Sequence, residues 1–301
     1  MKDMVKKRAV YDRNEMAGSG SSILSAFLYG LNAFFAFHAY KGGSNPIAFT
    51  CLSSFFSMLI FMFLLLKKKT PILPKKGQTL WLVLDGMLGG FTTLFLFSAF
   101  ERIATGIATV LHFTYPVYVA VAGIWVLKKK LTKGKGIALV LCLTGIIVTS
   151  DVSGTGSALG IAMALISGIT YAGYILVMEK SDLQKTDYLW FSFYMVGIRG
   201  IGALLFGNIT GRMVLSMTKT AWIMTVTHAV LTGVVANILF QCGMRYVGGA
   251  TASLLSMFEP VTCVAVGIIL LGETITPVKL FGCAMIMSGI LVVAWEEHRK
   301  K

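Results

Sequence analysis

Apolar runs of helical length follow one another almost without pause from Gly20 to Trp295, separated by short polar breaks. A helix needs about 20 such residues to cross roughly 30 Å of hydrocarbon. The pattern predicts ten membrane-spanning helices, at residues 20–40, 46–66, 80–100, 104–127, 134–150, 157–178, 188–207, 221–243, 249–271 and 278–295. The expected fold class is therefore an all-α integral membrane protein. Residues 1–19 and 296–301 are expected to be polar tails, and 20–150 and 157–295 two five-helix units. The opening segment MKDMVKKRAVYDRNE leads into a full-length span with no small-residue cleavage site, so the first span is expected to be retained.

Charge adds an orientation. The 301-residue chain is 56% hydrophobic and 13% charged, with a mean hydropathy of +0.77 and a net charge of +14. The excess lysine sits in blocks between spans, such as Lys67–Lys69 and Lys128–Lys130, which marks topology and not nucleic-acid binding. With the N-terminus inside, 21 of the 27 basic residues fall on the cytoplasmic side, five on the other, and Arg199 lies within a span. That bias predicts that both termini are cytoplasmic. The five cysteines all lie in apolar segments without paired or metal-ligand spacing, and read as packing residues.

The two halves repeat. At a constant offset of 144, Ala108 falls on Ala252, Pro116 on Pro260, Thr132 on Thr276, Gly145 on Gly289 and Gly89 on Gly233; Gly30 meets Gly168 at 138. Five spans are an odd number, so the second copy is expected to lie inverted relative to the first. Inverted repeats are an architecture of secondary transporters, which hold substrate near the bilayer midplane between the copies.

In the second half, ATASLLSMFEPVTCVAVGIILLGETITPVKLFGCAMIMSGILVV runs from small residues through Pro to Gly-Glu-x-x-Thr and a glycine-rich closing helix; GIATVLHFTYPVYVAVAGIWVLKKKLTKGKGIALVLCLTGIIV is its first-half form. This pattern resembles the EamA family of the drug/metabolite transporter superfamily, over nearly the whole chain. The resemblance implies a metabolite transporter, most naturally an exporter in a bacterial plasma membrane, with no cofactor. It says little about the solute, since such transporters carry amino acids, nucleobases, vitamins and others. The first half departs from the pattern, with Lys128 and Lys129 where the second has Gly272 and Glu273, so Glu273 is read as structural.

The candidate site residues are polar groups inside spans. Glu259 lies about halfway along its span, directly before Pro260, where a bare carboxylate is costly. It either ties and gates a bent helix or binds substrate or a proton. Arg199, flanked by Gly197, Gly200 and Gly202, either clamps an anionic group, pairs with Glu259 or snorkels toward the outer surface. His112 and Tyr115 occupy the positions that match Ser256 and Glu259, and Asn32, Tyr171, Tyr174 and Asn237 complete the expected substrate-binding set. Pro116 and Pro260 are expected to kink their helices. Phe27, Phe34, Phe91 and Phe95 are either cavity walls or packing and lipid-facing residues.

These features predict a secondary transporter working by alternating access on a small organic solute, for which an arginine, a glutamate and many aromatics favour an amino acid or similar carboxylate. Protons are the candidate coupling ion, and a monomer or homodimer the expected state. The rival within transport is export of cationic drugs at Glu259. An intramembrane enzyme or scaffold is the rival outside it, but His38, His112, His228 and His298 are scattered over separate elements, and no Walker motif is present.

Overall fold

The computed structural model describes residues 2–74, 77–103, 105–126, 128, 131–149, 157–271 and 276–299. Glu273 and the loop around Gly154 lie outside the described residues. All regular structure within them is helical. In chain order the α-helices are α1 Lys2–Tyr29, α2 Asn32–Lys41, α3 Pro46–Lys68, α4 Thr79–Phe100, α5 Thr105–His112, α6 Tyr115–Val126, α7 Lys133–Thr149, α8 Ala158–Lys180, α9 Tyr188–Ile209, α10 Lys219–His228, α11 Asn237–Val247, α12 Gly249–Leu255, α13 Glu259–Leu271 and α14 Pro277–Arg299. Among the described residues, seven helical stretches are long and apolar enough to cross a membrane: Met16–Lys41, Pro46–Lys68, Thr79–Phe100, Ile107–Val126, Ala158–Lys180, Tyr188–Ile209 and Lys219–Val247. The other three expected spans fall on α7, on the run from α12 to α13, and on α14, which holds a shorter apolar stretch, Leu280–Val293.

The surface is apolar where the interior is polar. Phe63, Val140 and Trp125 are exposed at 64%, 64% and 81%, while Ser25, Ser54, Ser57 and Thr225 are buried completely. Lipid tails satisfy the first group, and neighbouring helices satisfy the second.

Four spans are interrupted, each for a local reason. The charged N-terminal segment and the start of the first span form one helix, which ends at Tyr29; a turn at Gly30 and Leu31 then starts α2. Pro116 cannot donate to the carbonyl of His112, and Pro260 cannot donate to that of Ser256. The chain accordingly breaks at Phe113–Thr114 before the first proline and tightens to a 3₁₀ turn at Ser256–Phe258 before the second. Between α10 and α11 the backbone widens into a π-helix, Ala229–Ala236. The serine hydroxyls of Ser57 and Ser25 donate to its first and last carbonyls, Ala229 O at 3.0 Å and Ala236 O at 2.8 Å.

The copies interlock. Gly30, in the first copy, lies against Glu259 O and Thr262 of the second, and its counterpart Gly168 lies against His112 O and Thr114 of the first. The closing helices α7 and α14 repeat the relation: Gly145 abuts Ile286 while Gly289 abuts Cys142. Since Cys142 and Gly145 become Ile286 and Gly289 on adding 144, each residue meets the other's counterpart, the signature of a two-fold contact. Gly86 and Gly90, which permit close helix approach, face Ile198 and Arg199 of α9 within this bundle. The five cysteines are unpaired.

Candidate functional site

The helix interruptions surround a cavity of about 130 Å³ at the centre of the bundle. That is space for several waters or part of a small organic solute. Of the expected site residues, Asn32, His112, Tyr171, Tyr174, Arg199, Asn237 and Glu259 all line it, although they come from six different helices. Tyr115 and Ser256 do not. Tyr115 is 1% exposed and donates its hydroxyl to Ser253 O at 3.2 Å, and the Ser256 hydroxyl turns back to Ala252 O at 2.9 Å.

Arg199 lines the cavity from α9, its Cα and stem packed beside Gly90 of α4. Its Nε donates to Ser54 Oγ at 2.8 Å, which fixes the guanidinium plane. Glu259 opens α13 on the cavity wall. Among the described residues no ion pair joins it to Arg199, and its carboxylate takes no hydrogen bond. The two side chains thus face one space, each available to a ligand.

Two histidines are held in defined tautomers. Ser167 Oγ spends its single hydrogen on Ala164 O at 2.6 Å, so His112 Nδ1, 2.9 Å from that Oγ, must be the donor and Nε2 the free acceptor. His228 Nε2 lies 3.1 Å from Asn32 Oδ1 and donates to it, within a ring of Phe35, Phe49 and Phe97. Asn237 Oδ1 accepts from Ser192 Oγ at 3.2 Å and from the Gln241 amide, which also donates to Ser192 Oγ at 2.7 Å. Tyr171 and Tyr174 stack with their rings 9° from parallel and 5.8 Å apart.

Of the two readings of the four phenylalanines, packing and outward exposure is the one the structure gives. Phe27 and Phe91 are 45% and 43% exposed on the lipid-facing surface, and neither Phe34 nor Phe95 lines the cavity. Phe97 and Phe240 do, because they project from the inner faces of α4 and α11. Tyr29, Thr92 and Thr93 also line it and were not expected. The signal for Tyr29 was its place at the break before Gly30; the threonines follow Gly89 at the next turn. No cluster of metal ligands occurs among the described residues.

A bundle of membrane helices built from two interlocked copies around a polar central cavity defines a transporter. Residues 16–151 and 158–295 each match the EamA-like transporter family, and the chain belongs to that family, within the drug/metabolite transporter superfamily. It is a transporter of this type and not an enzyme. It is 27% identical over 283 residues to an uncharacterized transporter of Archaeoglobus fulgidus, covering 93% of this chain and 97% of that one. It is 26% identical over 204 residues to human solute carrier family 35 member G1, covering 63% and 55% respectively. The uncharacterized transporter YwfM of Bacillus subtilis is 28% identical, covering 68% and 70%. A crystal structure shares the fold with a TM-score of 0.78 at 15% identity, covering 92% of this chain and 97% of that one.

Proposed function

We propose that the protein is a secondary active transporter of an amino acid or a similar carboxylate-bearing solute, working by alternating access and exporting it across a bacterial plasma membrane. The observation that carries the solute class is the pair of uncombined charges on one cavity wall, Arg199 and Glu259, beside the apolar rings of Phe97 and Phe240. A zwitterion would satisfy both, its carboxylate on the guanidinium and its ammonium on Glu259. Asn32, His112, Tyr171, Tyr174 and Asn237 would supply the remaining polar contacts. Tyr115 and Ser256 lie behind the wall and would enter as the helices ahead of Pro116 and Pro260 rearrange.

The architecture in this reading is ten spans in two inverted five-helix repeats, residues 20–150 and 157–295, with both tails cytoplasmic, supported by the basic bias and the two-fold contact of α7 and α14. Single cysteines placed in a cysteine-free background at Lys133 and Lys185 should label only from the cytoplasm, and one at Thr210 only from outside. The opposite accessibility at any of them would break the topology.

For the solute, purified protein is screened by thermal shift against amino acids, their amides and the corresponding decarboxylated amines. A ligand that binds only the folded protein raises its melting temperature. Stabilisation by amino acids alone is expected. Stabilisation by the amines alone would instead favour a cationic solute held at Glu259.

A further inference from the structure

The strongest unexplained group in the molecule is Asp85, in the run LWLVLDGMLGG of α4. It is 0% exposed, and neither carboxylate oxygen has a hydrogen-bond partner among the described residues. It lies about 9 Å along the helix from Thr79, inside the apolar span. An ionised carboxylate in such a place, without a partner, is prohibitively unstable, and the group escapes by taking up a proton.

Its neighbours do not offer an alternative. The adjacent Gly86 packs on Ile198 of α9, and Gly89, one turn on, faces the ring of Tyr174 on α8. Tyr174 is the titratable group within its electrostatic reach. Arg199 faces α4 at Gly90, about 140° around the helix from Asp85, with Nε committed to Ser54. Tyr194 of α9 donates its hydroxyl to Ile72 O at 2.7 Å, and His112 on α5 is tied to Ser167. At the end of α3, Lys68 is paired with Asp187 and Lys67 is exposed. No described cation therefore neutralises Asp85.

The position also links the proton to the transport site. Asp85 is followed on the same helix by Gly86, Gly89, Thr92 and Thr93, all on the cavity wall, and on its own face of α4 Gly89 meets the Tyr174 ring and Thr92 Oγ1 lies 2.9 Å from Thr170 Oγ1 of α8. Any separation of α4 from α8 that lets water to Asp85 also opens the cavity wall between Gly89 and Tyr174. We propose that Asp85 is the proton-binding site of the transport cycle: it is protonated in the conformation described here, and it releases that proton to water when α4 and α8 part. This rests on the alternating-access reading above but not on the solute being an amino acid.

The test has an arm that needs no solute. Infrared difference spectra of the full chain in lipid vesicles at neutral pH should show the carbonyl band of a protonated carboxylic acid. One component of that band should be lost in Asp85→Asn, shift in Asp85→Glu and persist in Glu259→Gln. A wild-type spectrum that matches that of Asp85→Asn would overturn the proposal, and the Asp85→Glu shift guards against a fold defect in the amide variant. In proteoliposomes, uptake of an amino-acid mixture driven by a pH gradient should fall at least tenfold in Asp85→Asn while exchange continues. Unchanged gradient-driven uptake would overturn the coupling role. If wild-type vesicles carry no amino acid in either assay, the solute reading fails and the infrared band alone decides the protonation of Asp85.

Discussion

Arg199 and Glu259 share one cavity without forming an ion pair. Buried opposite charges usually satisfy each other, and a site that keeps them apart retains both for a ligand. Arg199→Lys preserves the charge but loses the planar fork and the Nε bond to Ser54. The expected result is a loss of at least about tenfold in affinity for a carboxylate solute, the equivalent of one charge-assisted hydrogen bond. Binding measured calorimetrically on purified protein checks it, together with an unchanged melting temperature. Equal affinity in the variant would remove Arg199 from the site.

Glu259→Gln and Pro260→Ala should separate binding from movement. The amide should weaken binding of an ammonium-bearing solute by about tenfold, for loss of one charged contact, while leaving gradient-driven uptake coupled. Gradient-driven uptake that fails while exchange persists would move the coupling proton from Asp85 to Glu259. Pro260→Ala restores a donor toward the Ser256 carbonyl and straightens the 3₁₀ turn at Ser256–Phe258. Transport should slow with solute affinity unchanged, as read from paired uptake and binding curves.

The π-helix makes a prediction about stability. A Cβ on Gly233 would overlap the hydroxyl of Ser57, which is itself held to Ala229 O. Gly233→Ala should therefore cost about 1–3 kcal/mol as an overpacking defect. Adding Ser57→Ala removes the clashing oxygen and should recover part of that loss. A double variant no more stable than Gly233→Ala alone, by thermal melting in detergent, would refute the contact.

At the bundle's edge, Asp187 caps α9 through the backbone N–H groups of Leu189 and Trp190 and pairs with Lys68. Partial burial works to raise its pKa, but the Lys68 ammonium and the two backbone donors outweigh it and hold the carboxyl below its ordinary value. A carboxylate depressed in the folded state stabilises above its unfolded pKa and loses that contribution as pH falls through the folded one. Asp187→Asn should lower stability by only ~0.5 kcal/mol at neutral pH, since the pair is partly exposed. The difference between wild type and variant should shrink below about pH 4. A gap that is constant with pH would show that the ion pair contributes nothing.

Much of this arrangement is legible in the sequence because the bilayer imposes it. Span-length apolar runs, a gapless 144-residue offset and two helix-breaking prolines identify the family fold and the broken helices. Seven of the nine expected binding residues meet at one cavity for the same reason: a polar side chain inside a span has few places to go. What the sequence does not settle is direction around each helix axis. Tyr115 and Ser256 are polar and well placed along the chain, yet both turn to a backbone carbonyl instead of the cavity. Phe91 points to lipid while Phe97, six residues on, points inward. The π-helix also leaves no local mark, because Ala229–Ala236 is an ordinary apolar stretch and the widening depends on Ser25 and Ser57 from distant helices. Asp85 is the reverse case: a lone acid in LWLVLDGMLGG is plain in the sequence yet absent from the expected site residues, and its significance comes from having no hydrogen-bond partner among the described residues.

The contact between Cys142 and Ile286 has a geometric consequence. They are counterparts, with Cys142 Sγ 3.5 Å from Ile286 O. If the outward and inward states arise by the two copies trading shapes, every distance between counterparts is conserved, because the trade maps such a pair onto itself. A distance between residues that are not counterparts becomes that of their images: Tyr115 and Ser253 hand their contact to Glu259 and Thr109. The helices α7 and α14 then form the fulcrum of the molecule. Spin labels on positions 142 and 286 would keep one separation through the cycle, while labels on 115 and 253 would report two.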